Sequence, residues 1–187
     1  MTDRDRLVQL LAERSVEHRR VVLASGRESD FFVDCKQTAL TAEGHALLGA
    51  LMFDALASLP PCEAVAGVEL GGCPLASAVS LISFQRGRPL AALYVRKEAK
   101  DHGTKKLVEG DRSLHDGIAV VLLEDVVTTG GSAMKAAEKL ALVGARVVGV
   151  VAIVDRLEGG REAIQAAGLP LVALCTRADF DKPDPKR

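Results

Sequence analysis

Two neighbouring acids, Glu124 and Asp125, are followed after Val126 and Val127 by Thr128, Thr129, Gly130, Gly131 and Ser132. The residues before them, 118–123, are all apolar and rich in β-branched types, as in a strand buried on both faces. After Ser132 the apolar positions Ala133, Ala136, Ala137, Leu140 and Ala141 take helical spacing, with Gly144 as the C-terminal stop. A strand, a turn rich in hydroxyls and glycine, and a helix N-terminus make an anion site. Free N–H groups point at the ligand, the helix dipole favours negative charge, and glycine lets a phosphate approach the main chain. Carboxylates beside a phosphate repel it, so Glu124 and Asp125 are better explained as acceptors for sugar hydroxyls. The pattern implies a ribose 5-phosphate. The plainer alternative is an ordinary strand, turn and helix whose acids cap the helix. Neither G-x-x-x-x-G-K-[ST] nor G-x-G-x-x-G after a strand occurs, so the two common nucleotide cradles are absent.

Three other stretches carry chemistry. Arg96, Lys97, Lys100 and His102 concentrate cationic donors in one segment, 96–110, with almost no apolar residue to anchor it. Such donors suit a diphosphate on which negative charge builds as it departs; a solvated charged loop is the bland reading. Gly71 and Gly72 follow Glu69 in a turn whose glycine pair permits unusual backbone angles and leaves amides for an anion. Arg156 opens a polar segment and is either a surface arginine or a guanidinium fork for a carboxylate.

Elements that could bring these groups together are legible in order. An amphipathic helix, 3–14, is followed by two short strands within 20–35 around Ser25-Gly26, which reads as a small hood. Thr41 caps a helix over 42–57 that Pro60-Pro61 stops. Strands follow at 64–68, 90–95, 118–123, 147–154 and 171–174, with helices at 74–84, 132–142 and 160–167 between them. This alternation predicts an α/β fold: a doubly wound, mostly parallel sheet with helices on both faces, whose ligands sit at the carboxyl ends of the strands. There the loops 69–73, 96–110, 124–132 and 155–160 crowd one edge. Residues 1–180 form one domain, with the hood at about 1–40 and the core at about 41–175. The tail 181–187 is expected to be disordered.

Composition narrows the class. Of 187 residues, 48% are hydrophobic and 26% charged, with net charge −1, which suits a soluble globular chain and argues against a general nucleic-acid or membrane binder. With no Trp and one Tyr, an aromatic platform for nucleic acid is hard to build. Cys35, Cys62, Cys73 and Cys175 form no C-x-x-C pair or zinc spacing and read as reduced thiols. The N-terminus is charged and unlike a signal peptide, so a cytoplasmic location is expected.

The run from the apolar strand through two acids to Thr-x-Gly-x-Ser resembles the signature by which type I phosphoribosyltransferases bind 5-phosphoribosyl 1-diphosphate (PRPP). R-K-E-A-K-D-H-G, after a strand containing Tyr94, resembles the catalytic loop of the orotate phosphoribosyltransferases and is not shared by the purine members of the fold. Ser25-Gly26-Arg27 with Phe31-Phe32 resembles that family's hood. The resemblance implies transfer of phosphoribose from PRPP to orotate, giving orotidine 5′-monophosphate and diphosphate in pyrimidine synthesis, with Mg²⁺ held mainly on PRPP oxygens and no metal cage of protein side chains. It implies catalytic roles for Lys100, Asp101, His102 and Asp125. PRPP would meet Arg96, Lys97, Lys100, His102, Gly71 and Gly72, and each residue of the run Glu124, Asp125, Val126, Val127, Thr128, Thr129, Gly130, Gly131 and Ser132. Orotate would meet Thr128, Arg156 and one of Phe31 and Phe32; adjacent strand residues face opposite ways, so the other belongs to the core. The family is dimeric, with the segment 96–103 serving the partner's site. This chain departs where many relatives carry lysine: it has Ala24 and Gly71, for which Lys36 or Arg27 could compensate. A phosphoribosyltransferase for another base would not need Arg156 or the 96–103 segment, and a PRPP-sensing regulator would need a DNA-binding element that is not apparent.

Overall fold

In the computed structural model, residues 1–19, 21–22, 28–98 and 106–181 are described. Helix α1 (Asp3–Arg14) starts at a reciprocal cap between Thr2 and Asp5 and buries Leu7, Leu10 and Leu11. The hood that follows is built of four two-residue strands, β1 (Val16–Glu17), β2 (Val21–Val22), β3 (Glu28–Ser29) and β4 (Phe32–Val33). They pair antiparallel as β1 with β4 and β2 with β3, where sequence reading expects a single pair. A short helix, α2 (Lys36–Ala39), joins the hood to α3 (Ala42–Ala55), whose N-cap Thr41 accepts the Gly44 N–H at 3.0 Å. Helix α3 ends earlier than expected, because residues 56–58 tighten into one 3₁₀ turn before Pro60.

The core then alternates: β5 (Ala64–Val68), α4 (Gly72–Gln85), β6 (Ala91–Val95), β7 (Val108–Glu109), β8 (Ala119–Val127), α5 (Gly131–Ala141), β9 (Arg146–Asp155), α6 (Gly160–Ala166) and β10 (Leu171–Thr176). The sheet order is β10-β9-β8-β5-β6-β7, parallel throughout except for the antiparallel edge strand β7. Successive residues of β5 and β8 enter opposite cores. Val65, Val121 and Leu123 pack with Leu48, Met52, Leu75 and Val79, whereas Ala64, Ala66, Val120 and Leu122 pack with Ala133, Ala136, Leu140 and Ile164. A strand covered on both faces must be apolar at every position, which is why 118–123 shows no alternation.

The strand following β5 in the sequence, β6, lies on one side of it, and β8 lies on the other. Such a reversal opens a crevice beyond the strand ends. Two expectations need correction there. Glu124 and Asp125 lie inside β8 and not after it, because β9 runs to Asp155 and keeps pairing: Glu124 opposes Ala152, Val126 opposes Val154 and Val127 opposes Asp155. The segment 96–110 does have an apolar anchor, since Val108 is buried and holds β7 against β6. Among the described residues no helix is long and apolar enough to cross a membrane.

Candidate functional site

The ends of β5, β6 and β8 border a cleft of about 590 Å³. Glu69, Leu70 and Gly71 line it from the loop after β5, Lys97 from the segment after β6, Glu124, Asp125 and Val126 from β8, Ser132 from α5, and Lys36 from α2. A smaller recess of about 70 Å³ adjoins it, lined by Thr128, Thr129, Gly130, Gly131 and Ser132 with Val126, Val127 and Glu124. Most of the residues that sequence reading singles out on the 124–132 run and the 69–72 loop thus lie along these two cavities. In the sequence Lys36 stands out only as a substitute for a missing lysine, because a four-residue helix gives no periodic signal.

The recess owes its shape to backbone geometry. Gly130 is the N-cap of α5 at φ 80°, and no side chain caps the helix, so the first-turn N–H groups face the recess without a side-chain acceptor. A β-carbon on Gly160 would stand 2.6 Å from the Thr128 carbonyl oxygen, so only glycine lets the loop after β9 support this turn. An uncapped helix N-terminus behind a left-handed glycine is an anion seat.

Glu124 is 5% exposed, and its Oε1 is buried with no hydrogen-bond partner among the described residues. Burial, reinforced by the neighbouring Asp125 carboxylate and opposed by Lys97, pushes its carboxyl up to about 8. Asp125 is held differently. Its Oδ1 accepts the Val126 N–H at 2.9 Å, and its carbonyl accepts the Cys35 thiol at 3.6 Å. Beneath it lies Gly71, and the Glu69-Leu70 peptide just before is cis. The loop turns tightly: a β-carbon on Gly67 would lie 2.0 Å from the Gly72 carbonyl oxygen, and one on Gly72 would lie 2.7 Å from that of Leu123.

Cations border the other side. Lys97 lines the cleft, and its N–H donates to the Glu69 carboxylate. Arg96 Nε bonds Glu109 Oε1 at 2.9 Å. Lys36 pairs with Asp34, which raises its pKa. Lys100, Asp101 and His102 lie outside the described residues, as do Ala24 and Arg27.

Arg156 is buried, not a surface residue, and its N–H donates to Val127 O at 3.0 Å, tying it to the end of β8. Its Nη2 donates to the Phe31 carbonyl at 2.9 Å and meets Glu158 Oε1 at 2.9 Å. Phe31 is fully buried, with the guanidinium groups of Arg156 and Arg177 at 5.6 and 5.3 Å from its ring centroid and the rings of His18 and Phe180 alongside. Of the aromatic pair, Phe31 is thus the core member and offers no surface to a base. Phe32 is half-buried beneath the Arg19 guanidinium at 4.8 Å. Glu158, as the ion partner of Arg156, has no signal in sequence, because pairing at a spacing of two needs the tight turn that Leu157 makes at φ 58°. Among the described residues no group of three or more His, Cys, Asp and Glu is placed to hold a metal ion.

Residues 53–166 match the phosphoribosyl transferase domain. The chain is 73% identical over 184 residues to the orotate phosphoribosyltransferase of Sorangium cellulosum, covering 98% of this chain and 96% of the relative. Its structure is similar to that of Mycobacterium tuberculosis H37Rv orotate phosphoribosyltransferase in complex with Fe(III) dicitrate, at TM-score 0.82 and 41% identity, covering 97% of this chain and 100% of the other. The same enzyme in complex with PRPP matches at TM-score 0.79 and 38% identity, with 97% and 100% covered.

Proposed function

The chain belongs to the orotate phosphoribosyltransferase family and is an enzyme of phosphoribosyl transfer, and we propose that the cleft at the ends of β5 and β8 binds PRPP and transfers its phosphoribosyl group to orotate. The products are orotidine 5′-monophosphate and diphosphate, a step of pyrimidine synthesis. The observation that carries this reading is the juxtaposition of an uncapped helix N-terminus at Gly130 with two carboxylates on the adjoining strand.

In this reading the 5-phosphate sits on the N–H groups of the 128–132 turn, and Glu124 and Asp125 accept the ribose hydroxyls. The orphaned Oε1 of Glu124 is a buried acceptor awaiting such a donor. Asp125 also stabilises positive charge at the anomeric carbon if the bond to diphosphate breaks ahead of bond making. The diphosphate lies between the loop 69–72 and Lys97, with Lys36 supplying charge where many relatives carry lysine in place of Gly71. Arg156 reads the orotate carboxylate through its fork. The residues present fit a Mg²⁺ ion carried on the oxygens of PRPP, because Glu124 keeps a buried acceptor that a water retained by such an ion could use. When bound, the ion would neutralise charge on the departing diphosphate.

The segment 96–103 is read as closing over the reacting centre of the partner subunit in a homodimer, excluding water that would hydrolyse PRPP. The pairing of β6 with β7 anchors the stretch that contains it, and residues 99–103 lie outside the described residues. Incubating the protein with PRPP, Mg²⁺ and orotate, uracil, adenine, hypoxanthine or nicotinate tests the proposal. Diphosphate release with orotate alone supports it, and release with another base in preference to orotate overturns it.

A further inference from the structure

The dipeptide Arg96-Lys97 leaves the sheet at the end of β6, yet all four of its main-chain polar groups are held. Arg96 N–H donates to Leu107 O at 2.9 Å, and Lys97 N–H donates to the Glu69 carboxylate. Both carbonyl oxygens are taken by one side chain: Lys139 Nζ donates to Arg96 O at 2.8 Å and to Lys97 O at 2.6 Å. Lys139 stands in the last turn of α5, the helix whose N-terminus forms the anion seat. A lysine on a helix surface ordinarily keeps its ammonium in water. Here the ammonium of a half-buried residue bridges two adjacent carbonyls, and a charged donor makes such bonds shorter and stronger than neutral ones.

We infer that Lys139 is a positioning residue for the diphosphate side of the site. It fixes the backbone of Arg96 and Lys97 from below, so that the Lys97 side chain enters the cleft and the Lys97 N–H meets Glu69. Glu69 is thereby joined through Lys97 to α5, and the loop after β5 is held in register with the 5-phosphate turn. Lys139 acts through Lys97: it does not line the cleft of about 590 Å³, but borders a cavity of about 250 Å³ beside it that shares Val68, Lys97 and Ser132. In its kinetic consequences the inference rests on the cleft being the PRPP site; in its structural consequences it does not.

The test compares Lys139→Met, Lys139→Arg and wild type, since all three side chains suit a helix. Trypsin cuts at the carbonyls of Arg96 and Lys97, the two groups that Lys139 covers. Cleavage mapped by mass spectrometry should rise at least about fivefold at these two bonds in Lys139→Met, relative to cleavage after Lys106, and stay near wild type in Lys139→Arg. The PRPP KM should rise about tenfold in Lys139→Met while the orotate KM stays within about twofold, and Lys139→Arg should restore most of the loss. An unchanged cleavage map overturns the inference. So does an equal rise of both KM values with a general loss of thermal stability, which would mark Lys139 as merely structural. The cleavage map is read whether or not the wild type uses orotate, so a failure of the proposed reaction and a failure of this inference are told apart.

Discussion

Gly71 packs directly under the carboxylate of Asp125: a β-carbon built on Gly71 would stand 2.1 Å from Oδ2 and 2.5 Å from Cγ. The glycine is not needed for its own conformation, since φ is −62° and ψ −36°, where any residue is at ease. It is needed for the space it leaves. Gly71 is the floor on which Asp125 rests.

Gly71→Ala should therefore act on Asp125 and little on the fold. Making room turns the carboxylate away and forfeits its bond from the Val126 N–H, a loss of about 1 kcal/mol. The expected result is a PRPP KM raised about fivefold, with a thermal midpoint within a few degrees of wild type. A wild-type KM would mean that Asp125 is free to swing without consequence.

Glu124 supplies a pH dependence whose sign follows from its environment. Its carboxyl titrates near 8 in the folded chain against an ordinary value of 4.5, so the folded state holds the proton more tightly. The stability it gives is complete below about pH 4.5 and is lost as pH rises through 8, by up to about 1.4 kcal/mol per pH unit. Glu124→Gln keeps the shape without the titration. In urea unfolding of the ligand-free protein, the advantage of the variant over wild type should grow from pH 5 to pH 9, while its PRPP affinity falls. Parallel stability curves would show that Glu124 is already ionised at neutral pH.

Arg156→Ala should impair use of orotate far more than it impairs PRPP binding. Removing a charge-assisted bond to a carboxylate costs roughly 1.5–3 kcal/mol, or about 10- to 150-fold in orotate dependence. Because the guanidinium also bonds Phe31 O and Glu158, Arg156→Lys is the control for loss of packing. An orotate dependence identical to wild type would remove Arg156 from the site.

Sharing of the 96–103 segment between subunits is tested by complementation. Lys100→Ala and Arg156→Ala should each leave little activity alone, since each defect falls in both sites of its own homodimer. With random pairing half of co-expressed dimers are mixed, and one site of each is intact, so about a quarter of wild-type activity should return. Activity no higher than that of the separate variants, in a preparation shown to contain mixed dimers, contradicts sharing in trans.

The parts of the fold that sequence reveals are those with a strong local signal. The apolar run at 118–123, followed by acids and a hydroxyl-glycine turn, marks the buried part of β8 and the start of α5, because a doubly covered strand and a side-chain-free helix start leave little choice of residue. What stays hidden depends on pairing at a distance. The hood strands are two residues long and have no period to read. Glu124 and Asp125 are in the strand only because β9 is long enough to keep pairing with them. Phe31 and Phe32 are equivalent in sequence, and only the packing of His18, Phe180, Arg156 and Arg177 makes Phe31 the core member. The clasp of Lys139 on Arg96 and Lys97 spans 42–43 residues and joins groups that any chain carries, so it has no sequence signature.

The cleft bordered by Glu124, Asp125 and the α5 N-terminus is the proposed PRPP site. Calorimetric titration of PRPP into wild type and Asp125→Asn, without any base so that no transfer follows, addresses it most directly. Asparagine keeps the shape but loses the charge and part of the acceptor capacity. Binding weakened about tenfold or more is the predicted result. An affinity for PRPP equal to that of wild type would contradict the claim and make the Glu124–Ser132 motif structural.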